Sequence, residues 1–263
     1  MKAVCFSVAA LDFFPQQNKH YIGGNSMNQA VRYRQMGYHS AFIGALGMDE
    51  AGDRIAGVLQ TEAVDFSHMR RVEGETARNQ IVNDEFGERF GIDGAWEGGV
   101  YEQFKMDEAD WVFASQFEVW STHANSPCYE VALQRKKENQ LMAVDFLHWQ
   151  EYELLERSLQ VIDIAYFGGT AVMTNDLANI AKNNNGIIVL TLGAEGSIAF
   201  AGDKTFTQPA LPLKKVVDTT GCGDAFQAGF TANFYHTHDI PSALLAGAEA
   251  GKKAAIHFGG VPC

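Results

Sequence analysis

The sequence predicts a three-layer α/β/α fold, doubly wound about a mostly parallel sheet. Three observations lead there. The first apolar run, residues 3–11, is almost uninterrupted, the pattern of a strand covered on both faces. From residue 111 to residue 192, strand-length apolar runs alternate with helix-length amphipathic ones, which builds a parallel sheet with helices on both faces and right-handed crossovers. A polar and apolar alternation over 76–90, turning at Asp84-Glu85-Phe86-Gly87-Glu88, inserts a hairpin into that pattern.

At 263 residues the chain can bury a substantial core. Lys and Arg number 20 against 32 Asp and Glu, a net charge of −12, which disfavours nucleic acid as a partner. Cys5, Cys128, Cys222 and Cys263 lie far apart with no C-x-x-C pair, so zinc and a disulfide framework are disfavoured and a cytoplasmic location fits. The apolar start has one lysine before it and Asp12-Phe13-Phe14-Pro15 after it, unlike a cleaved signal. No other apolar run approaches the ~20 residues of a membrane helix, so no membrane partner is expected.

In chain order, the strand over 3–11 delivers Asp12 just past its carboxyl end, where open α/β sheets bind ligands, although a turn aspartate would read the same. Gly23 and Gly24 then permit close approach of the backbone to a ligand before a helix that buries Met27, Ala30 and Val31 and stops at Gly37. Residues 40–46 read as a strand. Asp49, Glu50 and Asp53 read as the acidic first turn of a helix running to Leu59, not as a metal site. After the hairpin come strand 111–114, helix 127–137, strand 141–146, helix 152–159, strand 161–167, helix 176–182 and strand 187–192. Trp120, His123, His148 and Trp149 fall in or beside loops, as packing or ligand-covering residues. A two-glycine turn, Thr191-Leu192-Gly193-Ala194-Glu195-Gly196-Ser197, leads into a hairpin over 198–206. The closing helix spans 242–257, its Ala246, Gly247, Ala250 and Gly251 suited to a helix crossing.

The chemistry is written at 216–226, read as a strand, a tight turn and a helix with Phe226, Gly229, Phe230, Asn233 and Phe234 on one face. Gly221 and Gly223 let several backbone N–H groups aim at one point, and the helix start adds its dipole, so residues 221–223 form an anion hole. A carboxylate at Asp224 would reach both a bound phosphate and its attacker. An N-cap aspartate is the plain alternative.

Asp218-Thr219-Thr220-Gly221-Cys222-Gly223-Asp224 is nearly identical to the C-terminal signature of the PfkB family of sugar and nucleoside kinases, usually D-T-x-G-A-G-D. Gly23-Gly24-Asn25-Ser26-Met27-Asn28-Gln29-Ala30 resembles that family's N-terminal signature. The resemblance spans nearly the whole chain and implies one ribokinase-like domain with a small β lid built from about 13–22 and 76–94. It implies ATP and Mg2+, with Asp224 as base, Gly221, Cys222 and Gly223 as anion hole, and Asp12, Gly23, Gly24 and Asn28 on the sugar. It places Thr191, Gly193 and Gly196 at the nucleotide, K+ at Asp218 and Thr220 as in some relatives, and a homodimer through the lid.

Gly74-Glu75-Thr76-Ala77 and Glu88-Arg89-Phe90-Gly91 look most like the fructoselysine 6-kinases, so a fructosamine phosphorylated at its 6-position is expected. Another PfkB acceptor, such as a hexose, ribose or nucleoside, and a non-catalytic sensor of sugar or nucleotide are the alternatives. Two departures stand out. Where the family often has N-x-x-E for magnesium and phosphate, this chain has Gly168-Gly169-Thr170-Ala171-Val172-Met173, and Cys222 replaces the usual alanine, an exposed thiol that would make the enzyme thiol-sensitive. No G-x-x-x-x-G-K-[ST] occurs, so a P-loop is absent, and no G-x-G-x-x-G follows a strand.

Overall fold

The computed structural model describes residues 1–148, 150 and 152–262; the readings of Trp149 and Cys263 lie outside them. The apolar run at 3–11 makes two strands, not one. β1 (Lys2–Phe6) ends where Ser7, Val8 and Ala9 turn away, and β2 (Ala10–Phe14) enters a different sheet. Apolarity shows that a segment is buried, not which partner it pairs with. β1 pairs with Val119–His123 (β9) and His39–Ile43 (β4), whereas β2 pairs with Lys19–Gly23 (β3) and Arg78–Asn83 (β7). Asp12 therefore sits within a strand rather than in a loop beyond one.

The expected strand at 40–46 also divides, into β4 and Ala45–Gly47 (β5), at Gly44, where a Cβ would come within 2.8 Å of the Ser7 carbonyl oxygen. β5 pairs with Arg70–Val72 (β6). Residues 111–114 are helical, a correction to the strand expected there. They end α3 (Glu108–Ala114), which begins at a capping box between Asp107 and Asp110, a signal outside the apolar window. The strand itself is β9, whose buried Ser121, Thr122 and His123 hid its burial from the sequence. Residues 216 and 217 form no strand either; Val217 N–H donates to the Ala255 carbonyl in irregular structure.

The remaining elements fall where the periodicities put them, within a few residues. They are α1 (Asn25–Gln35), α2 (Glu50–Thr61), β8 (Arg89–Gly91), α4 (Tyr129–Arg135), β10 (Leu141–Asp145), α5 (Tyr152–Ser158), β11 (Ile164–Gly168), α6 (Thr174–Lys182), β12 (Ile187–Thr191), β13 (Ser197–Ala201), β14 (Lys204–Gln208), α7 (Cys222–Thr237) and α8 (Ile240–Ala254). The large sheet runs β14-β13-β12-β11-β10-β9-β1-β4, parallel from β12 to β4 with an antiparallel hairpin at its far edge. Alternate residues of β1 face opposite layers. Val4 and Phe6 pack with Trp111, Tyr129 and Leu155 from α3, α4 and α5, while Ala3 and Cys5 pack with Met27, Ile55 and Ala228 from α1, α2 and α7. Phe226 and Phe230 of α7 and Leu244 of α8 extend that second layer over β10, β11 and β12.

From β1 the chain crosses to β4 on one side and later returns to β9 on the other. The carboxyl ends of β1 and β9 thus flank a topological switch point, the crevice where such sheets bind ligands. Over it lies a second sheet, ordered β3-β2-β7-β8.

Candidate active site

α7 begins at Gly221, whose φ of 75° and whose packing would set a Cβ 2.6 Å from the Gly260 Cα, so only glycine fits. Asp224 falls in the first turn of that 16-residue helix, at its positive end. Its carboxylate does not cap the helix; the N-cap is Gly221 and carries no side-chain cap bond. Instead Oδ1 accepts from Asn25 Nδ2 at 2.8 Å and Oδ2 from Asn28 Nδ2 at 2.7 Å. The same Asn25 Nδ2 donates to Asp145 Oδ2 at 2.8 Å, so one amide bridges two carboxylates. Asp145 ends β10, the strand next to β9 on the same carboxyl rim.

Those contacts come from one stripe of α1. Asn25, Asn28, Gln29 and Arg32 recur at helical spacing, so they share a face, and that face meets α7. Gln29 Nε2 donates to Gln227 Oε1 at 2.7 Å, and Arg32 Nη2 to the Gly260 carbonyl at 2.9 Å. The opposite stripe, Met27, Ala30 and Val31, fills the core as expected. Gly24, with φ of 102° and room for no Cβ beside the Ala9 Cα at 2.5 Å, lets α1 start this close to the β1–β2 turn.

Crowded carboxylates in a water-poor crevice are hard to ionise. Burial pushes Asp224 up to about 6; Asp145 adds to the rise, while the Asn28 bond, Arg89 and Arg32 oppose it. Asp145 is raised by burial against bonds from Gln227, Leu147 and Asn25. Asp12, buried on β2 beside the Gly23 backbone, is pushed up to about 7 by burial, with Arg89 opposing and Asp224 and Asp218 reinforcing. Asp12, Asn28, Gly23, Gly24 and residues 221–224 are thus brought together.

Asp218 has another task. Its Oδ1 accepts from Thr220 N, Thr220 Oγ1 and Asn83 Nδ2, and its Oδ2 from Gly259 N, so both oxygens tie the loop to its surroundings. The β7–β8 hairpin lands on the same loop. Thr219 N–H donates to the Gly87 carbonyl at 3.0 Å, and Arg89 N–H to Thr219 Oγ1 at 2.9 Å. Cys222 is half-buried, and burial pushes its thiol up to about 12, against the thiolate form that the expected thiol sensitivity needs.

Thr191, Gly193 and Gly196 lie on the same carboxyl rim, two strands along from Asp145, with Gly193 and Gly196 both at positive φ. Thr191 Oγ1 donates to the Phe167 carbonyl, and among the described residues no hydrogen bond joins this turn to the aspartates. His123 and Trp120 are not loop residues. Trp120 is core, and His123 ends β9 in register with Asp145, its Nε2 2.5 Å from Ser7 Oγ, with burial lowering it to about 4. His148 is an exposed loop residue. Asn25, Asp145, Arg32 and Arg89 are the neighbours that sequence reasoning missed; the polar stripe of α1 and an aspartate closing the run Leu141-Met142-Ala143-Val144 were the available signals.

Where the family's N-x-x-E would stand, Gly168 closes β11 and Met173 packs against Gly169, leaving Asp176 exposed in α6. Among the described residues no three His, Cys, Asp or Glu side chains converge to hold a metal ion.

A family model described as pfkB family carbohydrate kinase matches residues 10–263. Fructosamine kinase FrlD of Bacillus subtilis (strain 168) is 29% identical over 273 residues, covering 98% of this chain and 92% of that protein. Fructoselysine 6-kinase of Escherichia coli (strain K12) is 27% identical over 252 residues, covering 95% of each. The structure of Arabidopsis thaliana ribokinase complexed with ribose and ATP superposes with a TM-score of 0.81 at 22% identity, over 98% of this chain and 93% of that one. A chain matched over this length, with both glycine signatures meeting at one crevice, belongs to the pfkB family of carbohydrate kinases and is an ATP-dependent sugar kinase.

Proposed function

We propose that the protein phosphorylates a fructosamine such as fructoselysine on its 6-hydroxyl, with Asp224 as general base. The observation that carries the mechanism is the Asp224 carboxylate itself, held by Asn25 and Asn28 at the start of α7 instead of capping it. In the reaction the acceptor oxygen attacks the γ-phosphorus, its proton passes to Asp224, and the bond to the ADP oxygen breaks. The amides of residues 221–223 and the helix dipole stabilise charge on the equatorial oxygens. Asp12, Asn28, Gly23 and Gly24 hold the sugar, and the turn at Thr191, Gly193 and Gly196 borders the nucleotide. When bound with ATP, magnesium would neutralise phosphate charge; among the described residues no acidic cluster converges to hold it, so its ligands would come from the phosphates and water.

The small sheet acts as the lid that excludes water from the transfer. A potassium ion at Asp218 and Thr220 would meet an Oδ1 that already accepts three hydrogen bonds and an Oδ2 that accepts one, from Gly259 N, with main-chain carbonyls supplying further ligands. The acceptor class rests on the relatives named fructosamine kinase and fructoselysine 6-kinase. Charge at Glu85, Glu88 and Asp93 adds little, since exposed pairs are worth ~0–1 kcal/mol, so selectivity comes from the shape of the lid. With Mg-ATP, kcat/KM for fructoselysine should exceed that for fructose, ribose and adenosine, and the product should carry phosphate on the 6-hydroxyl. A plain hexose or a nucleoside winning that comparison overturns the acceptor.

A further inference from the structure

Arg32 has no part in the mechanism above, yet it occupies an unusual place. It continues the stripe of α1 that holds Asp224, one turn beyond Asn28, and its guanidinium is drawn behind residues 221–224. Nη2 donates to the Gly260 carbonyl at 2.9 Å and to His257 Nε2 at 3.1 Å; His257 Nδ1, 3.2 Å from the Phe258 carbonyl, donates there, which leaves Nε2 as acceptor. Gly260 in turn packs on both Gly221 and Asn28, so the carbonyl that Arg32 grips belongs to the residue that backs the anion hole. Withdrawing a guanidinium from water is costly unless its charge is used. Nη1 donates outward to the exposed Gln35 Oε1 at 3.0 Å, while the buried Nε has no hydrogen-bond partner, so these neutral acceptors leave the charge of the half-buried guanidinium without a counter-ion at bonding distance.

We propose that Arg32 is a positioning residue that supplies a built-in cation behind the 221–224 loop, seating Gly260 against Gly221 and offsetting the negative charge of Asp224. The proposal rests on the reading of Asp224 as base. The other ionisable groups around Asp224 are Asp12 on β2, Asp145 on β10, Arg89 on β8 and the thiols of Cys5 on β1 and Cys222. Around Arg32 they are Glu62 at the end of α2, Cys222 and His257, which itself faces Asp218. Of all these, only Arg89 shares the sign of Arg32, and it comes from the hairpin. When that hairpin lifts, Arg32 is the cation that stays.

The test replaces Arg32 by Gln, which keeps a donor for the Gly260 carbonyl but no charge, and by Lys, which keeps the charge. The acid limb of kcat against pH, together with carboxyl NMR of Asp224, should move up by about half a pH unit or more in Arg32→Gln. KM for ATP and for acceptor should hold within about twofold, since neither ligand is touched. Arg32→Lys should keep the wild-type limb, added guanidinium ion should restore an Arg32→Ala variant, and the shift should persist in a His257→Gln background. An unmoved Asp224 titration in Arg32→Gln, or a loss of kcat that tracks only lowered Tm, overturns the proposal. Turnover surviving in Asp224→Asn while Arg32→Gln still shifts the Asp224 titration would instead remove the base and leave Arg32 as its neighbour.

Discussion

At the residue scale the site is a contest over ionisation. Asp224, pushed up to about 6, is ionised at neutral pH and loses that form as pH falls. Turnover should therefore drop about tenfold per pH unit below the limb, and Asp224→Asn should cut kcat on the order of 100-fold to 10,000-fold while ATP and sugar still bind. Steady-state kinetics with calorimetry checks both; retained turnover within about threefold would reduce Asp224 to a structural residue. Asp12 shows the cost of keeping such a group. Its native carboxyl titrates at about 7 against 3.8 in the unfolded chain, so between those values the folded state holds the proton more tightly and stability falls as pH rises. Asp12→Asn should raise Tm at pH 8, by the equivalent of ~1–3 kcal/mol, with the gain fading below pH ~4. The same variant should weaken acceptor binding by ~1–3 kcal/mol and spare ATP. Normal acceptor affinity with weakened ATP would exchange the two half-sites.

At the element scale the informative contact is between the β7–β8 hairpin and the loop before α7. Thr219 is its hub, accepting from Arg89 N–H at 2.9 Å and donating to Glu88 Oε1 at 3.2 Å. If the hairpin is the proposed lid, resting on the 219–223 loop would let its closure and the assembly of the site occur together. Thr219→Ala removes both side-chain bonds and keeps the backbone bond to Gly87. It should cost ~1 kcal/mol of stability and raise ATP hydrolysis relative to sugar transfer, since a looser hairpin admits water. Comparing ADP release with sugar phosphate formed reads this out. An unchanged ratio would mean that the hairpin does not guard the reaction.

For the whole molecule, the proposal to test is association through the small sheet. Phe86 is 74% and Phe90 53% exposed at the hairpin, beside half-exposed Trp96 and Ile92. Exposed apolar side chains in and around an edge strand are costly in water and favour a partner. A homodimer through this sheet predicts that sedimentation finds two chains and that Phe90→Glu yields monomers; monomeric wild-type protein at micromolar concentration would refute it. Among the described residues no helix is long and apolar enough to cross a membrane.

Both glycine signatures, the parallel sheet, the helix carrying Asp224 and the inserted hairpin were legible in the sequence. The signatures, the helix and the hairpin are each specified within about fifteen consecutive residues, by where only glycine fits, by period, or by turn chemistry, and the sheet by the alternation of such segments. What the sequence could not show was which distant segments meet. The split of residues 3–11 between two sheets depends on strand partners from β3 to β9, and the helical fate of Trp111 was decided by a capping box upstream of its apolar stretch. The Asn25 bridge between Asp145 and Asp224, across 120 and 199 residues, exists only once α1, β10 and α7 converge. So does the lodging of Arg32 beneath Gly260. Local conformation follows from neighbours along the chain, whereas ionisation follows from every charge within a few ångströms and from the water that burial excludes, and only the tertiary structure determines those.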